Sequence, residues 1–340
     1  MKPENRRGIA CAGNWIVDHV KIIDVWPSPS NLANILSEEK GTGGCPFNCL
    51  IDLARLAPGL PLEAIGLIGE DDDAQWIRDQ IAFSGADASG LLACPAAPTS
   101  YTDVMTLRDD GTRTFFHLRG ANELFDIEHV NVEALRSRIF HLGYLMLLTR
   151  LDQPDEAHGS RAARLLARCR EAGLRTSIDL VSAEVGRYAE IVTPALRVTD
   201  YAIINEVEAQ AVTGLRLRSP SGEPDWDALE AAARRLADLG VAGNATIHLP
   251  EGAVSLDVAA GRMHTAGSLR LPPGFIKGAA GAGDAFCSGM LLGLHEGWPV
   301  PRCLEMAHAA AAASLRHATC TQGVRSAEEA LELARRYPAS

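Results

Sequence analysis

The chain has 340 residues, of which 47% are hydrophobic, 22% charged and only 5% aromatic. That is enough apolar material to bury a core without covalent staples, so a small disulfide scaffold, a disordered chain and a fibrous repeat are all excluded. With Lys+Arg at 32 against Asp+Glu at 43, the net charge of −11 disfavours nucleic acid and anionic membrane as partners, and any anionic ligand needs a specifically built pocket.

Short apolar runs alternate with longer amphipathic ones, the pattern of βαβ units around a parallel sheet. In chain order, a strand is predicted over 9–11, a helix over 46–56, a strand over 63–67 and a helix over 74–84. Strands follow at 139–142, 176–179, 201–204 and 245–249, with helices at 161–172, 226–239 and 285–296, and a buried alanine-rich helix at 309–313. Gly173 and Gly240 are placed to end two of these helices. Two stretches, 14–25 and 99–118, carry β-branched and aromatic residues with no helix between, and the second turns at Asp109-Asp110-Gly111. They predict a small antiparallel sheet beside the main one, either a cover over a site or an edge extension.

The N-terminal MKPENRRGIACAG lacks the apolar stretch of a secretory signal, and no segment approaches the ~18 apolar residues that span a bilayer. Eight cysteines are scattered through apolar segments, which predicts reduced thiols and a cytoplasmic protein. Cys45 and Cys49, four apart on a predicted helix with no histidine nearby in sequence, read as packed thiols. There is no G-x-x-x-x-G-K-[ST] P-loop, G-x-G-x-x-G, C-x-x-C, H-E-x-x-H or G-x-S-x-G run, which disfavours P-loop ATPases, dehydrogenases and the common zinc and serine hydrolases.

The chemistry concentrates in Gly278-Ala279-Ala280-Gly281-Ala282-Gly283-Asp284, which opens a helical run. Backbone N–H groups at such a junction lack helical partners, the helix dipole adds partial positive charge, and the missing side chains let an anion approach. A carboxylate at the mouth of that nest would repel phosphate unless it serves to take a proton from an attacking group, so Asp284 reads as a general base for phosphoryl transfer; the alternative is a helix cap.

These residues resemble the ribokinase-like, or PfkB, sugar and nucleoside kinases. Gly281-Ala282-Gly283-Asp284 matches the end of that family's D-T-x-G-A-G-D signature, and Gly43-Gly44-Cys45-Pro46-Phe47-Asn48 its N-terminal Gly-Gly motif ending in Asn. In family order lie Gly13-Asn14 with Asp18, Gly66-Leu67-Ile68-Gly69-Glu70-Asp71, Asp110-Gly111 with Arg113, Asn205-Glu206-Val207-Glu208, and Glu251-Gly252, over roughly 8–325. The resemblance implies one domain over 1–340: a doubly wound, mostly parallel sheet with helices on both faces, a small antiparallel lid from about 14–25 and 99–118, and a nucleotide site within about 200–325. It implies an ATP-dependent kinase acting on a hydroxyl of a sugar, sugar acid or related polyol, with Asp284 as base and the amides of Gly281, Ala282 and Gly283 as anion hole. Asn14, Asp18, Gly44, Asn48 and Arg113 would bind substrate; Asn205, His248, Gly252, Lys277 and His308 would bind nucleotide; Glu208 would organise Mg²⁺ through waters. A monovalent cation is a further candidate. Arg113, His117 and Arg119 could meet an acidic or phosphorylated sugar or be a solvated face. An exposed lid edge invites a homodimer.

The chain departs from the pattern at Gly278-Ala279, where the family carries Asp-Thr, with Lys277 just ahead as a substitute cation. His248-Leu249-Pro250 replaces a hydroxyl- and glycine-bearing nucleotide strand, and His308 stands where relatives carry Asn. A nucleoside kinase, with Trp15, Phe47 and Phe116 around a base, and a weakly catalytic binding regulator are the competing readings.

Overall fold

The computed structural model describes residues 6–109, 111–182 and 186–339. In chain order the elements are β1 (Ile9–Gly13), β2 (Ile16–Ile23), β3 (Ile35–Gly43), α1 (Cys45–Leu56), β4 (Leu62–Ile68), α2 (Asp72–Ser84), β5 (Asp87–Ala93), β6 (Ser100–Leu107), β7 (Arg113–Leu118) and β8 (Ile139–Leu145). The short pair β9 (Pro154–Asp155) and β10 (Gly159–Ser160) leads to α3 (Arg161–Glu171), β11 (Arg175–Leu180), α4 (Tyr188–Leu196), β12 (Tyr201–Asn205), α5 (Glu206–Thr213) and α6 (Trp226–Asp238). The chain closes with β13 (Asn244–Leu249), β14 (Gly252–Asp257), β15 (Arg262–Gly267), α7 (Ala282–His295), α8 (Val300–Ser314) and α9 (Ala327–Arg336).

The main sheet has nine strands in the order β15-β14-β13-β12-β11-β8-β1-β4-β5, parallel from β13 to β5 and antiparallel at β14 and β15. Alternation along β1 shows why both faces are covered: Ile9 and Cys11 join the core with α1, α2, α7 and α8, while Ala10 and Ala12 join the core with α3, α4 and α6. From β1 the chain first winds outward through β4 and β5, then returns and winds the other way through β8 and β11. The crevice at the carboxyl ends of β1 and β8 is therefore the switch point where doubly wound sheets hold ligands.

The helix ends follow local chemistry. Asp71 accepts from the Ala74 amide to start α2, Asn205 and Glu208 cap α5 reciprocally, and Gly173 and Gly240 take positive φ just beyond α3 and α6. Pro46 sits in the first turn of α1, where its missing N–H has no partner to lose.

A second, four-stranded sheet in the order β3-β2-β6-β7 forms the lid. It differs from expectation in two ways. A third stretch, β3, belongs to it, and β2 pairs with β6 in parallel, so only the β2–β3 and β6–β7 pairs are antiparallel. The first six residues of β3, from Ile35 to Lys40, are all solvent-exposed and show no alternation, which hides the strand from periodicity. The β6–β7 turn is the expected hairpin, with Gly111 at φ 72 donating to Leu107 O; Asp110 lies outside the described residues.

Candidate active site

Asp284 occupies the first turn of α7, buried, with Gly281 capping the helix at φ 77. Among the described residues the amides of Gly281 and Gly283 donate to no protein acceptor, and Ala282 N makes only a long 3.4 Å bond to Ala279 O. The nest expected for an anion is thus present. A Cβ at Gly281 would strike Cys320, and one at Gly283 would press on the His248 ring at 3.2 Å, so both glycines are also required by space.

One Asp284 oxygen accepts from Asn48 Nδ2 at 2.7 Å and from the Tyr144 hydroxyl at 3.4 Å. Burial pushes this carboxyl up to about 6, with the Cys49 charge adding and the Asn48 bond opposing. Asn14, at the end of β1, donates to Tyr144 O at 3.2 Å. The side-chain oxygens of Asn14 and Asn48 are buried without a protein partner, which suits sugar O–H donors. Asp18, on β2, faces Gly43, where any Cβ would meet its carboxylate. Gly44 takes φ 80 at the start of α1, with the Asn14 carbonyl where a Cβ would go.

Arg113 reaches from β7 across to Ala318 O at 3.1 Å, and its guanidinium lies where a side chain at residue 278 would begin. The glycine in place of the family's acid thus makes room for this arginine. His117 and Arg119 do not join it: His117 bonds Thr102 Oγ1 at 3.0 Å, and Arg119 donates to Leu147 O and Thr149 Oγ1.

On the other side of Asp284, a pocket of about 260 Å³ is lined by Asp179, Glu208, Asn205, Ser182 and Asp284, with no lysine or arginine among the described residues. Asp179, at the end of β11, accepts from the Tyr144 amide at 2.7 Å and was not singled out from sequence. Burial, then the Asp284 charge, holds its carboxyl well above the usual range. Glu208 accepts from Asn205 N, Asn205 Nδ2 and Ser182 Oγ, and burial raises it to about 7. Asn205 and Glu208 are both cap and pocket wall, so the two readings of that motif coincide. Three carboxylates line this one small pocket, and oxygen donors of this kind fit Mg²⁺ held largely through waters.

Beyond this pocket opens a cleft of about 670 Å³ lined by Asn205, His248, Leu271, Phe286, His308 and Ala311 among others. His248 stacks on Phe286 at 4.9 Å, and His308 meets the same ring edge-on at 5.1 Å. Burial lowers both imidazoles to about 4, so both are neutral. Two assigned nucleotide residues lie elsewhere. Gly252 packs beneath Trp226 and against Ala266 O, outside the cleft lining. Lys277 lines the adjoining cleft between lid and core with Arg108 and Arg113, the two clefts sharing Ile276 and Ala279. Cys45 and Cys49 are buried free thiols as expected, but a histidine partner comes from β8: His141 Nε2 lies 3.2 Å from the Cys45 sulfur.

A family model described as pfkB family carbohydrate kinase matches residues 10–327. The chain belongs to the pfkB family of carbohydrate kinases. It is a phosphotransferase with a sugar hydroxyl as acceptor, on a ribokinase-like fold. A curated relative, the ATP-dependent ribose-1-phosphate kinase of Halopiger xanaduensis, is 27% identical over 305 residues, 88% of each chain. The solved Arabidopsis thaliana ribokinase complexed with ribose and ATP superimposes at TM-score 0.75 with 19% identity, covering 96% of this chain and 98% of that one. The Methanocaldococcus jannaschii nucleoside kinase does so at 0.74 with 16% identity, covering 98% and 99%.

Crowded carboxylates make a stability prediction. Burial raises Asp18 to about 7, against hydrogen bonding from Cys320 and with the Asp284 charge adding. A carboxyl raised on folding binds its proton more tightly in the folded state, so this group's contribution to stability is fully present below about pH 4 and is lost as pH climbs towards 7. Asp18→Asn should therefore raise the melting temperature of the ligand-free protein by about 2 °C or more at pH 8, with the gain shrinking near pH 5. An unchanged or lower melting temperature at pH 8 would contradict the charge repulsion described.

Proposed function

We propose that the enzyme transfers the γ-phosphoryl group of ATP to a hydroxyl of a sugar phosphate held between lid and core. The observation that carries the transfer step is the Asp284 carboxylate, oriented by Asn48 at 2.7 Å beside the free amides of Gly281 and Gly283. Asp284 takes the acceptor hydroxyl's proton, the three amides from Gly281 to Gly283 face the charge that builds on the phosphoryl oxygens, and the lid keeps water out. Bound with ATP, Mg²⁺ would supply positive charge to the phosphates, held by Glu208 and Asp179 largely through waters. The adenine would lie in the cleft walled by His248, Phe286 and His308. We assign no role to a monovalent cation, because Arg113 fills the space beside Gly278 where the family pattern carries an acid.

The acceptor class rests on Arg113 next to Asp18, with Arg108 and Lys277 lining the same lid cleft, a cationic group suited to a phosphate already on the sugar. The name of the curated relative supports this choice. The nucleoside alternative loses its base pocket: Trp15 and Phe47 are buried in the core, and Phe116 is exposed and stacked on Trp26. Eight unpaired, buried cysteines suit a reducing, cytoplasmic setting, and no helix among the described residues is long and apolar enough to cross a membrane.

ADP release over a panel of pentose phosphates, free pentoses, sugar acids, inositols and nucleosides tests the reading. Pentose phosphates should be the best acceptors, and Asp284→Asn should cut turnover by ~10²–10⁴ while ATP still binds. Nucleosides as sole acceptors would overturn the acceptor class, turnover with none would favour a binding regulator, and undiminished turnover in the variant would overturn the base.

We also infer a homodimer through the lid. Phe116 and Trp26 are 52% and 47% exposed and stacked on each other, and Phe115, Ile35 and Leu36 are exposed on the two edge strands. So large an apolar surface on one small sheet calls for a partner, and a second lid is self-complementary to it. Light scattering should give a dimer for the native chain and a monomer for Phe116→Glu; a native monomer at micromolar concentration would end this proposal.

A further inference from the structure

Directly beneath the catalytic carboxylate, three thiols and an imidazole converge from three elements. Cys45 and Cys49 stand one turn apart on α1, Cys287 follows Asp284 on α7, and His141 points from β8. Cys45 Sγ is 3.4 Å from Cys49 Sγ and 3.2 Å from His141 Nε2, and Cys287 Sγ is 3.9 Å from the same nitrogen. All four ligand atoms lie within 4.8 Å of one another, and all four residues are buried.

We propose that Cys45, Cys49, Cys287 and His141 form a closed, four-ligand Zn²⁺ site that positions the catalytic helix. Around a tetrahedral zinc with Zn–S of ~2.3 Å, neighbouring ligand atoms stand ~3.8 Å apart, a spacing inside the range found here, so loading needs only small side-chain adjustments. The imidazole is already oriented for the task. His141 Nδ1 lies 3.0 Å from Ser177 Oγ, and with the ring proton on Nδ1 donated to that hydroxyl, the Nε2 lone pair faces the sulfurs. Thiolate and imidazole donors select a soft or borderline ion over Mg²⁺, which keeps this site chemically distinct from the carboxylate pocket above it. Cys287 lines that pocket, which gives an ion an entry path. The thiols lose their protons to solvent as they bind, and loading therefore strengthens as pH rises.

The consequence is mechanical. One ion would tie α1, which carries Asn48, and α7, which carries Asp284, to β8, replacing the 3.4 Å bond that the Cys49 S–H donates to the Asp284 carbonyl. The ligand set would thereby fix the 2.7 Å contact between Asn48 and Asp284. Two carboxylates, Asp179 and Asp284, also lie within reach of Cys45 Sγ, so the test must separate them from the thiol and imidazole ligands.

The full-length protein, purified without chelator and without an affinity tag, should carry about one zinc per chain by elemental analysis. His141→Gln and Cys287→Ser should each lower zinc content by ~10-fold or more, while Asp284→Asn, whatever its kinase activity, should retain it. Titrating Co²⁺ into zinc-depleted native protein should produce thiolate-to-cobalt charge-transfer absorption in the near ultraviolet and the visible bands of tetrahedral cobalt, a readout that needs no variant to fold. Native protein that carries no zinc and gives no such bands, zinc retained in both ligand variants, or a Cys45–Cys49 disulfide found by mass spectrometry of the native chain would each overturn the proposal. None of these readouts depends on which sugar is phosphorylated.

Discussion

Asp284 must remain ionisable in a place that disfavours its charge. Its position in the first turn of α7 favours an anion, and the Asn48 amide adds one short hydrogen bond. Burial and the nearby Asp18, Asp179 and Glu208 carboxylates oppose that charge, as the upward shifts of the neighbouring groups record. A carboxyl near about 6 is ionised at neutral pH and still basic enough to accept a proton, which is the range a general base requires.

The architecture follows from keeping that group dry and close to its ligands. Asn14, Tyr144, Asp179 and Asn205 all stand at the carboxyl ends of parallel strands, on β1, β8, β11 and β12 or just beyond, where the reversal of winding opens the sheet. Glycines then remove what would fill the gap: Gly43 makes room for the Asp18 carboxylate, and Gly278 for the Arg113 guanidinium. A glycine at 278 in place of the family pattern's acid thus leaves room for an arginine from β7 beside the glycine-rich loop that opens α7.

Much of this was legible in the sequence because it is local. The glycine-rich run before an apolar helix located α7, and the predicted helix over 46–56 became Cys45–Leu56. The Asn205–Glu208 spacing exposed a capping box that doubles as a pocket wall. What escaped depends on sheet order. His141 and Cys45 are far apart in the chain and meet only because β8 lies next to β1 beneath α1, and Asp179 ends a correctly predicted strand without any motif to mark it. Gly252 shows the reverse case, a motif position whose glycine is required by packing under Trp226 and which stands outside the cleft lining. Strand β3 escapes because its exposed stretch from Ile35 to Lys40 shows no alternation of buried and exposed residues, and pairing with β2 rather than periodicity makes it a strand.

The account stands or falls on Asp284 as a buried base, and the pH dependence of kcat/KM under limiting substrates reports that group most directly. The rate should fall about tenfold per pH unit on the acid side of a midpoint near the value of about 6 set by burial. A profile that stays flat down to the range of an ordinary aspartate would contradict it.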